Sequence, residues 1–411
     1  MKRYSEYKDS GVKWIGEIPG HWKCAQIGRL FSIKAGGDVK PDLFSDKQDH
    51  KHPYPVYTNT KSATDVYAYT SNPTCKANTI TVTGRGEVGH AIFRETPYDA
   101  IIRLLSLESK SELANPKFHT YVIDTIIPFT SDSAAIGQLS AIQIKPKYIP
   151  VPTIKEQQAI VTYLDTKVAK IDEYISIAEK KISALEELKQ TIIAEAVTRG
   201  IHKEVPMKDS GVFWQPQIPK SWSVTLIKHI LYKMKRSRPI NAEILICSNK
   251  GTVFKRGESK TGLISDDESI YQGVKSGDLL IHGMDTWHGA IAISNYNGMC
   301  TPVVHVCEST QNKAYIAYYL RNMATAKVFK LISNGVRQNT SDFRSWDKMG
   351  NVPVCLPPLP EQQEIVTYLD SKITNINQLC QAERSQIEKL KEYKQRLISD
   401  VVTGKVKVTN D

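Results

Sequence analysis

"PVPTIKEQQAIVTYLDTKV" at residues 150–168 and "PPLPEQQEIVTYLDSKI" at residues 357–373 are near copies of one another, 205 positions apart in the chain. Each copy runs from prolines through Glu-Gln-Gln to the same run, Ile-Val-Thr-Tyr-Leu-Asp. Thr153 and Glu156 have the spacing of a capping box, and Pro360 suits a first helical turn. The two stretches therefore predict two helices that begin in the same way.

Both helices are predicted to be long. After each helix start, apolar residues recur at spacings of three and four residues. Gly200 and Gly404 mark the C-terminal ends of the two helices. Each helix then runs for about 40 to 45 residues, or on the order of 60–70 Å. The spacing predicts a coiled-coil seam. The predicted seam residues are Val161, Leu164, Val168, Ile171, Ile175, Ile182, Leu185, Val366, Leu369, Ile373, Ile376, Ile387 and Leu390.

The segment between the helices predicts their relative direction. It leaves the C-terminal end of the first helix and enters the N-terminal end of the second. In a parallel pair these ends would be about 60 Å apart, against roughly 30–35 Å for a domain of that length. The segment therefore predicts an antiparallel pair. The alternative is two separate helices, each covering its own domain.

A second stretch is repeated as well. "YKDSGVKWIGEIPGHW" at 7–22 returns as "MKDSGVFWQPQIPKSW" at 207–222, so the chain consists of two copies of one unit. We predict an α+β fold with two pseudo-symmetric α/β domains separated by a long antiparallel two-helix coiled coil. The predicted bounds are 1–152 for the first domain, 153–200 for the first helix, 201–356 for the second domain and 357–411 for the second helix.

Composition limits the class of protein. The 411 residues are 41% hydrophobic and 24% charged, as in a globular protein of more than one domain. No apolar run is long enough to span a bilayer and the N-terminus does not resemble a signal peptide, so we expect a cytoplasmic protein without a membrane partner. Seven scattered cysteines without a C-x-x-C pair argue against a disulfide framework and a structural zinc site.

The positive charge is localised. The net charge is +11, and the excess lies in two blocks: residues 1–152 have 19 Lys and Arg against 15 Asp and Glu, and residues 223–352 have 17 against 10. A localised basic surface favours a polyanion, most often nucleic acid. Two such surfaces on a rigid spacer suit duplex DNA, a periodic polyanion.

These features together resemble a known family. The repeated stretches 7–22 and 207–222, here called the tags, contain Trp14 and Trp214. Together with the Pro-rich entries to Glu-Gln-Gln and the order globule, helix, globule, helix, they look like the specificity subunit of type I restriction-modification enzymes. The resemblance covers nearly the whole chain. It implies two target-recognition domains, each reading one half of a split, asymmetric sequence in double-stranded DNA, and helices that act as a spacer.

The resemblance also implies partners and cofactors. Two methyltransferase subunits would dock on the spacer and restriction/translocase subunits would complete the complex. S-adenosylmethionine, ATP and magnesium would be held by those partners, and this chain would hold no cofactor. Two alternatives stay open: the specificity subunit of a related modification-only system, and a coiled-coil scaffold that does not bind DNA.

No catalytic, cofactor-binding or metal-binding set is predicted. The sequence lacks a GxxxxGK[ST] loop, and its one Pro-Pro pair, Pro357-Pro358, is not in an Asn/Asp-Pro-Pro-aromatic motif. Gly84-x-Gly86-x-x-Gly89 resembles a dinucleotide loop, but an aromatic, β-branched stretch follows it where a helix should begin. We therefore expect a non-catalytic subunit.

The candidate DNA contacts are basic or amide side chains in predicted loops. Arg85 lies between two glycines, which lets it approach phosphate or a guanine edge closely. The remaining candidates are grouped along the two basic blocks. They are Tyr57, Asn59 and Lys61 in the first block, and Lys233, Lys235, Arg236, Arg238, Lys255, Arg256, Arg337, Gln338 and Asn339 in the second.

Overall fold

The structure is a computed structural model that describes residues 2–129, 138–202, 204–257, 268–333 and 343–408. The chain divides into two compact units. Unit 1 contains residues 1–178 and 384–411, and unit 2 contains residues 179–383. Each unit therefore includes part of both long helices.

Unit 1 is built mainly from short strands. They are β1 Tyr7–Asp9, β2 Glu17–Pro19, β3 Lys23–Gln26, β4 Phe31–Ala35, β5 Phe44–Ser45, β6 Tyr54–Tyr57, β7 Ala68–Thr70, β8 Thr79–Val82, β9 Ala91–Arg94, β10 Asp99–Ala100, β11 Leu105–Ser109 and β12 Tyr148–Val151. The helices are α1 Ile27–Leu30, α2 Pro116–Ile126, α3 Ala141–Ile144 and the first part of α4 Ile154–Arg199.

The main sheet of unit 1 has the order β4-β11-β8-β9 and is antiparallel. Leu105 pairs with both Ala35 and Val82, so the loops that follow β4 and β8 and the turn that precedes β11 lie at one end of this sheet. A second sheet, β10-β6-β7-β5, includes the parallel pair β10 and β6. The core contains the fully buried side chains of Trp22 and Phe118.

Unit 2 repeats the main sheet of unit 1. Its strands are β13 Met207–Asp209, β14 Gln217–Pro219, β15 Ser223–Leu226, β16 Leu231–Lys233, β17 Leu245–Cys247, β18 Val253–Lys255, β19 Gln272–Val274, β20 Leu279–His282, β21 Ile291–Ile293, β22 Gly298–Cys300, β23 Val304–Ser309 and β24 Pro353–Leu356. Its helices are α5 Ile227–Ile230, α6 Lys313–Thr325, α7 Val328–Ile332, α8 Trp346–Gly350 and the first part of α9 Leu359–Val402. The sheet β16-β23-β20-β21 matches the main sheet of unit 1. The second sheet of unit 1 is replaced by two two-stranded sheets, β17-β18 and β19-β22, within the described residues.

The long helices are paired antiparallel within each unit. In unit 2, Lys181 Nζ lies 2.5 Å from Glu383 Oε1, and Lys189 Nζ donates to Asn377 Oδ1 at 3.3 Å. The residue numbers of the partners thus decrease along α9 as they increase along α4. In unit 1, Lys394 Nζ donates to a carboxylate oxygen of α4, at Asp172, over 2.7 Å. The predicted fold class and the antiparallel pairing are confirmed.

The predicted seam is the buried face of both helices. Its residues are all buried or half-buried, whereas their neighbours on the outer face are exposed. The buried seam residues are Val161, Leu164, Ile171, Val366, Leu369, Ile376 and Ile387, and the half-buried ones are Val168, Ile175, Ile182, Leu185, Ile373 and Leu390. The seam lapses at Glu383, whose carboxylate instead takes the ion pair with Lys181.

The second helix is shorter than its predicted extent of 357–411. It ends at Val402. Gly404 then adopts φ +75°, and Lys407 N donates to Lys2 O at 2.9 Å, so the chain leaves the helical path and pairs with the N-terminal segment of unit 1. Within the residues that the structure describes, no helix combines the length and apolarity needed to cross a membrane.

Candidate nucleic-acid interface

The repeated tags join the ends of the long helices inside each unit. In unit 1, Trp22 Nε1 donates to Glu156 Oε1 at 3.1 Å, at the start of α4, and a Cβ atom on Gly404 would lie 3.1 Å from the Trp22 ring. In unit 2, Trp222 Nε1 donates to Glu361 Oε1 at 2.9 Å, at the start of α9. The tag recurs because each unit needs the same bridge between one helix start and one helix end.

The predicted capping box forms at the start of α4. Thr153 Oγ1 donates to Glu156 Oε2 at 2.8 Å, and the Glu156 amide donates back to Thr153 Oγ1 at 3.4 Å. Burial raises the pKa of Glu156, but hydrogen bonds from His21, Thr153 and Trp22 outweigh burial and hold that pKa below its ordinary value. Glu156 is therefore an ionised structural anchor.

The two glutamines after each anchor fasten the helix to its sheet domain. Gln157 accepts from Asn115 N at 2.8 Å and donates to Leu113 O and Pro152 O. Asn115 caps α2, and α2 packs on the main sheet. The Nδ2 atom of Asn115 donates to Gln158. Residues Gln362, Gln363 and Asn312 make the matching bonds in unit 2.

Three loops of unit 1, here called the loop cluster, meet at the end of the main sheet that is opposite the helix joints. Asn59 joins three loops, because Oδ1 accepts from Gly84 N at 2.7 Å and from Arg85 N at 3.2 Å while Nδ2 donates to Ile102 O at 2.6 Å. Lys61 is exposed and forms an ion pair with Glu87. Arg85 is exposed on the β8–β9 loop.

Tyr57 does not lie on this surface, contrary to its predicted role as a DNA contact. Its ring is buried in the core, with its centroid 3.5 Å from Arg94 Cζ and 5.7 Å from the Tyr98 ring. A base cannot stack on Tyr57 without unpacking this cluster. The guanidinium of Arg94 is buried, and it donates to Ala63 O at 2.9 Å. Burial lowers the pKa of Arg94.

Arg236 in unit 2 is also a structural residue instead of the predicted DNA contact. Its guanidinium forms a bidentate ion pair with Asp278, with Nη2 donating to Oδ1 at 3.0 Å. The Asp278 side chain is only 2% exposed, so this carboxylate depends on Arg236 for its counter-charge. A phosphate would have to displace a buried carboxylate to reach Arg236.

The other predicted contacts of unit 2 have varied surroundings. Lys235 and Arg238 are exposed in the segment that follows β16, and Lys233, at the end of β16, is half-buried. Lys255 is exposed and its Nζ lies 2.5 Å from Glu243 Oε2. That carboxylate raises the pKa of Lys255. Arg256 is half-buried. Arg337, Gln338 and Asn339 lie outside the described residues.

Sequence reasoning missed two features of the loop cluster. It predicted Asn59 as a DNA contact, although its side-chain amide is bound to backbone groups of two other loops. It also passed over Arg103, which is exposed beside the Arg85 loop. Arg103 has a φ of +65°, and no sequence pattern indicated this backbone conformation.

The geometry is that of a duplicated recognition protein, in which each unit presents basic loops at one end of a sheet and grips the long helices at the other. A family model described as the type I restriction modification DNA specificity domain matches residues 19–187 and again residues 233–389. These matches cover more than half of the chain, so the chain belongs to the type I restriction-modification DNA specificity family and carries its domain twice. The resemblance noted in the sequence is confirmed.

Relatives from several organisms share this description. The EcoDI specificity subunit of Escherichia coli is 19% identical over 95% of this chain and 90% of its own length. The MjaVIII specificity subunit of Methanocaldococcus jannaschii is 21% identical over 98% of each chain. Two type I specificity subunits of Mycoplasma pneumoniae are 28% and 29% identical over 40% and 39% of this chain, and the chain spans about half of their length, 48% and 43%.

Solved structures show the same fold. One, from a study of complex assembly and conformational transition of the type I R-M system, matches 94% of this chain and 98% of its own with a TM-score of 0.69 and 15% identity. The HsdS subunit from Thermoanaerobacter tengcongensis matches 95% of this chain and 98% of its own with a TM-score of 0.50 and 13% identity.

Proposed function

We propose that this chain is the non-catalytic subunit that reads DNA for a type I restriction-modification system, with each unit reading one half of a bipartite target. The observation that carries the proposal is the double match to the DNA specificity domain. The repeated joints support it, because the same tag and the same Glu-Gln-Gln attach both copies to the helices. Two similar domains with different loop side chains suit an asymmetric target.

The long helices would dock the partner subunits. Large apolar side chains are exposed on both helices, and two of them, Tyr174 and Ile177, are three residues apart and so lie on the same face of α4. In unit 1, Tyr174 is 61% and Ile177 54% exposed, and in unit 2 Leu379 is 49% exposed. Two methyltransferase subunits and restriction/translocase subunits are the proposed partners. They would supply catalysis and hold S-adenosylmethionine, ATP and magnesium.

A pair of reciprocal domain exchanges tests the function. Residues 223–352 of unit 2 are replaced by the equivalent block of another specificity subunit, and the matched variant exchanges residues 23–147 of unit 1. Both exchanges leave the tags and the Glu-Gln-Gln starts of the long helices in place. Asn115 and Asn312 are kept as asparagine within the exchanged blocks, so that the helix joints can still form. Methylated adenines are then mapped in cells that carry the modification subunit.

Each exchange is expected to change one half of the methylated target and to leave the other half and the gap unchanged. A change in both halves after either exchange contradicts one half-site per unit. A complex that shows no salt-dependent binding to its own DNA target would instead favour a coiled-coil scaffold.

A further inference from the structure

The turn that precedes β11 in unit 1 has a strained backbone. Leu104 N donates to Ile101 O at 3.1 Å, which closes a four-residue turn. Both central residues have positive φ, +51° at Ile102 and +65° at Arg103. Gly, Asn and Asp usually occupy such positions, and a β-branched residue there is a clear outlier. The surrounding structure must therefore hold this turn in place.

Unit 2 makes the corresponding turn without strain. Val304 N donates to Thr301 O at 3.1 Å, immediately before β23, the strand that matches β11. The central residues there are Pro302 and Val303. The proline ring fixes φ of Pro302 near −65°, and Val303 has no positive φ either. The fold itself thus does not require a strained turn, so its presence in unit 1 calls for a local explanation.

Two polar contacts and one close approach hold the strained turn. Asn59 Nδ2 donates to Ile102 O at 2.6 Å, and Ile102 N donates to Gly37 O at 2.8 Å. A Cβ atom on Gly84 would lie 2.5 Å from Arg103 O, so the glycine lets the two backbones touch. Asn59 also binds the amides of Gly84 and Arg85. One side chain thus locks the strained turn against the loop that carries Arg85.

The arginines of these two loops differ from two of the other candidate DNA contacts, Arg236 and Lys61. Arg85 and Arg103 are both exposed, and within the described residues neither guanidinium has an ion-pair or hydrogen-bond partner. In contrast, Arg236 and Lys61 are each paired with a carboxylate. The loops of Arg85 and Arg103 lie at the same end of the main sheet. Two free guanidinium groups on loops whose backbones are held together can bind phosphate oxygens or a guanine edge.

We propose that Arg85 and Arg103 together contact the DNA of the first half-site, and that Asn59 is the positioning residue that locks their loops together. The strained turn holds the backbone of Arg103 against the loop that carries Arg85. The proposal rests on the proposed function of DNA reading. It concerns unit 1 alone, because Met284 and Val303 occupy the matching positions in unit 2.

The first test separates DNA contact from folding. Arg103→Gly and Arg103→Asn remove the charge but suit a positive φ, so the unfolding temperature is expected to stay the same or rise. Affinity of the complete complex for its own target, identified by methylation mapping, is expected to fall about tenfold. Arg29→Ala is the matched control. It removes an exposed arginine from α1, at the other end of the same sheet, and is expected to change affinity less than twofold.

The pattern of loss identifies the contact. If Arg103 reads a guanine, substitution relaxes the first half-site at one base pair. If it contacts phosphate, binding weakens equally for all sequences and the salt slope falls by about one. Either result supports the proposal, provided that the second half-site is read as before. Wild-type affinity and target choice in Arg103→Asn would overturn it.

Asn59 is tested through its dependence on the arginines. Asn59→Ala is expected to weaken binding of the target by a similar factor, with the loss confined to the first half-site. In an Arg85→Ala, Arg103→Asn background the same substitution should have almost no further effect on affinity. A full additional loss in that background would show that Asn59 acts independently of the two arginines and would overturn its role as their positioning residue. If the wild-type complex itself fails to bind or methylate a specific target, the proposed function fails together with this inference.

Discussion

Gln157 and Gln362 occupy the same place in the two units, as buried amides that bind backbone groups next to the start of a long helix. Gln157→Ala leaves Asn115 N and two carbonyl groups without their partner. We expect the free energy of unfolding to fall by about 1–3 kcal/mol. Hydrogen exchange is expected to rise at the first turn of α2 but not at α6. Gln362→Ala should show the reverse.

Gln158→Ala is the control for this prediction. Gln158 is exposed, and its side chain accepts a hydrogen bond from Asn115 Nδ2 at 3.1 Å. Its loss should cost less than about 1 kcal/mol. Equal exchange in both units after Gln157→Ala would contradict a joint that acts within one unit.

The ion pair of Arg236 and Asp278 gives a second prediction for single residues. Arg236→Ala leaves a buried carboxylate without its counter-charge, and we expect the free energy of unfolding to fall by roughly 3 kcal/mol or more. The double variant Arg236→Ala, Asp278→Ala should recover part of the lost free energy of unfolding, as measured by denaturant titration. A stable Arg236→Ala protein with a reduced salt slope for DNA binding would restore Arg236 as a phosphate contact.

His119 should make unit 1 sensitive to acid. It is fully buried between the Phe31 and Phe118 rings, and burial lowers its pKa to about 4 from an ordinary 6.5. Between these values the unfolded chain binds a proton that the folded chain does not. Stability is therefore complete above pH 6.5 and falls towards pH 4, by roughly 3 kcal/mol.

The matching residue of unit 2 supplies the test variant. Asn115 and Asn312 cap the equivalent helices, and Ile316 stands four residues after its cap, as His119 does. His119→Ile should flatten the dependence of the free energy of unfolding on pH between 6.5 and 4. An unchanged slope would show that other groups cause the loss of stability in acid.

At the level of elements, the sequence predicted what depends on local pattern. The capping box at Thr153, the seam residues and the pairing direction all follow from spacing along one helix or from chain connectivity. The environment of the loop residues could not be predicted from local pattern, because Tyr57 and Arg94 meet only after several strands have paired. Side chains that are basic or aromatic in the sequence thus became core residues through contacts distant in the chain.

At the level of the whole molecule, we predict that the long helices measure the gap between the half-sites. Seven residues inserted after Ala178 in α4 and seven after Glu383 in α9 preserve the seam and fall at the boundaries of the two compact units. Both insertion sites lie close to the ion pair of Lys181 and Glu383, one three residues before Lys181 and the other directly after Glu383. Each helix lengthens by about 10 Å.

The expected result is methylation of a target with unchanged half-sites and a gap longer by about one to three base pairs. Sequencing of methylated adenines in cells with the modification subunit measures it. The control inserts four residues at the same positions, which breaks the seam and should abolish methylation. A folded, assembled heptad variant that methylates with its original gap would show that the helices do not set the spacing.

The sequence alone determined that the chain is a duplication, that long helices pair antiparallel and that the surface charge lies in two blocks. These properties are periodic or additive along the chain, so they can be read without coordinates. The tertiary structure decided which charges remain available to DNA. Arg236 is held by a buried carboxylate, whereas Arg103 is presented by a strained turn. Both outcomes depend on neighbours that only the folded chain brings within a few ångströms.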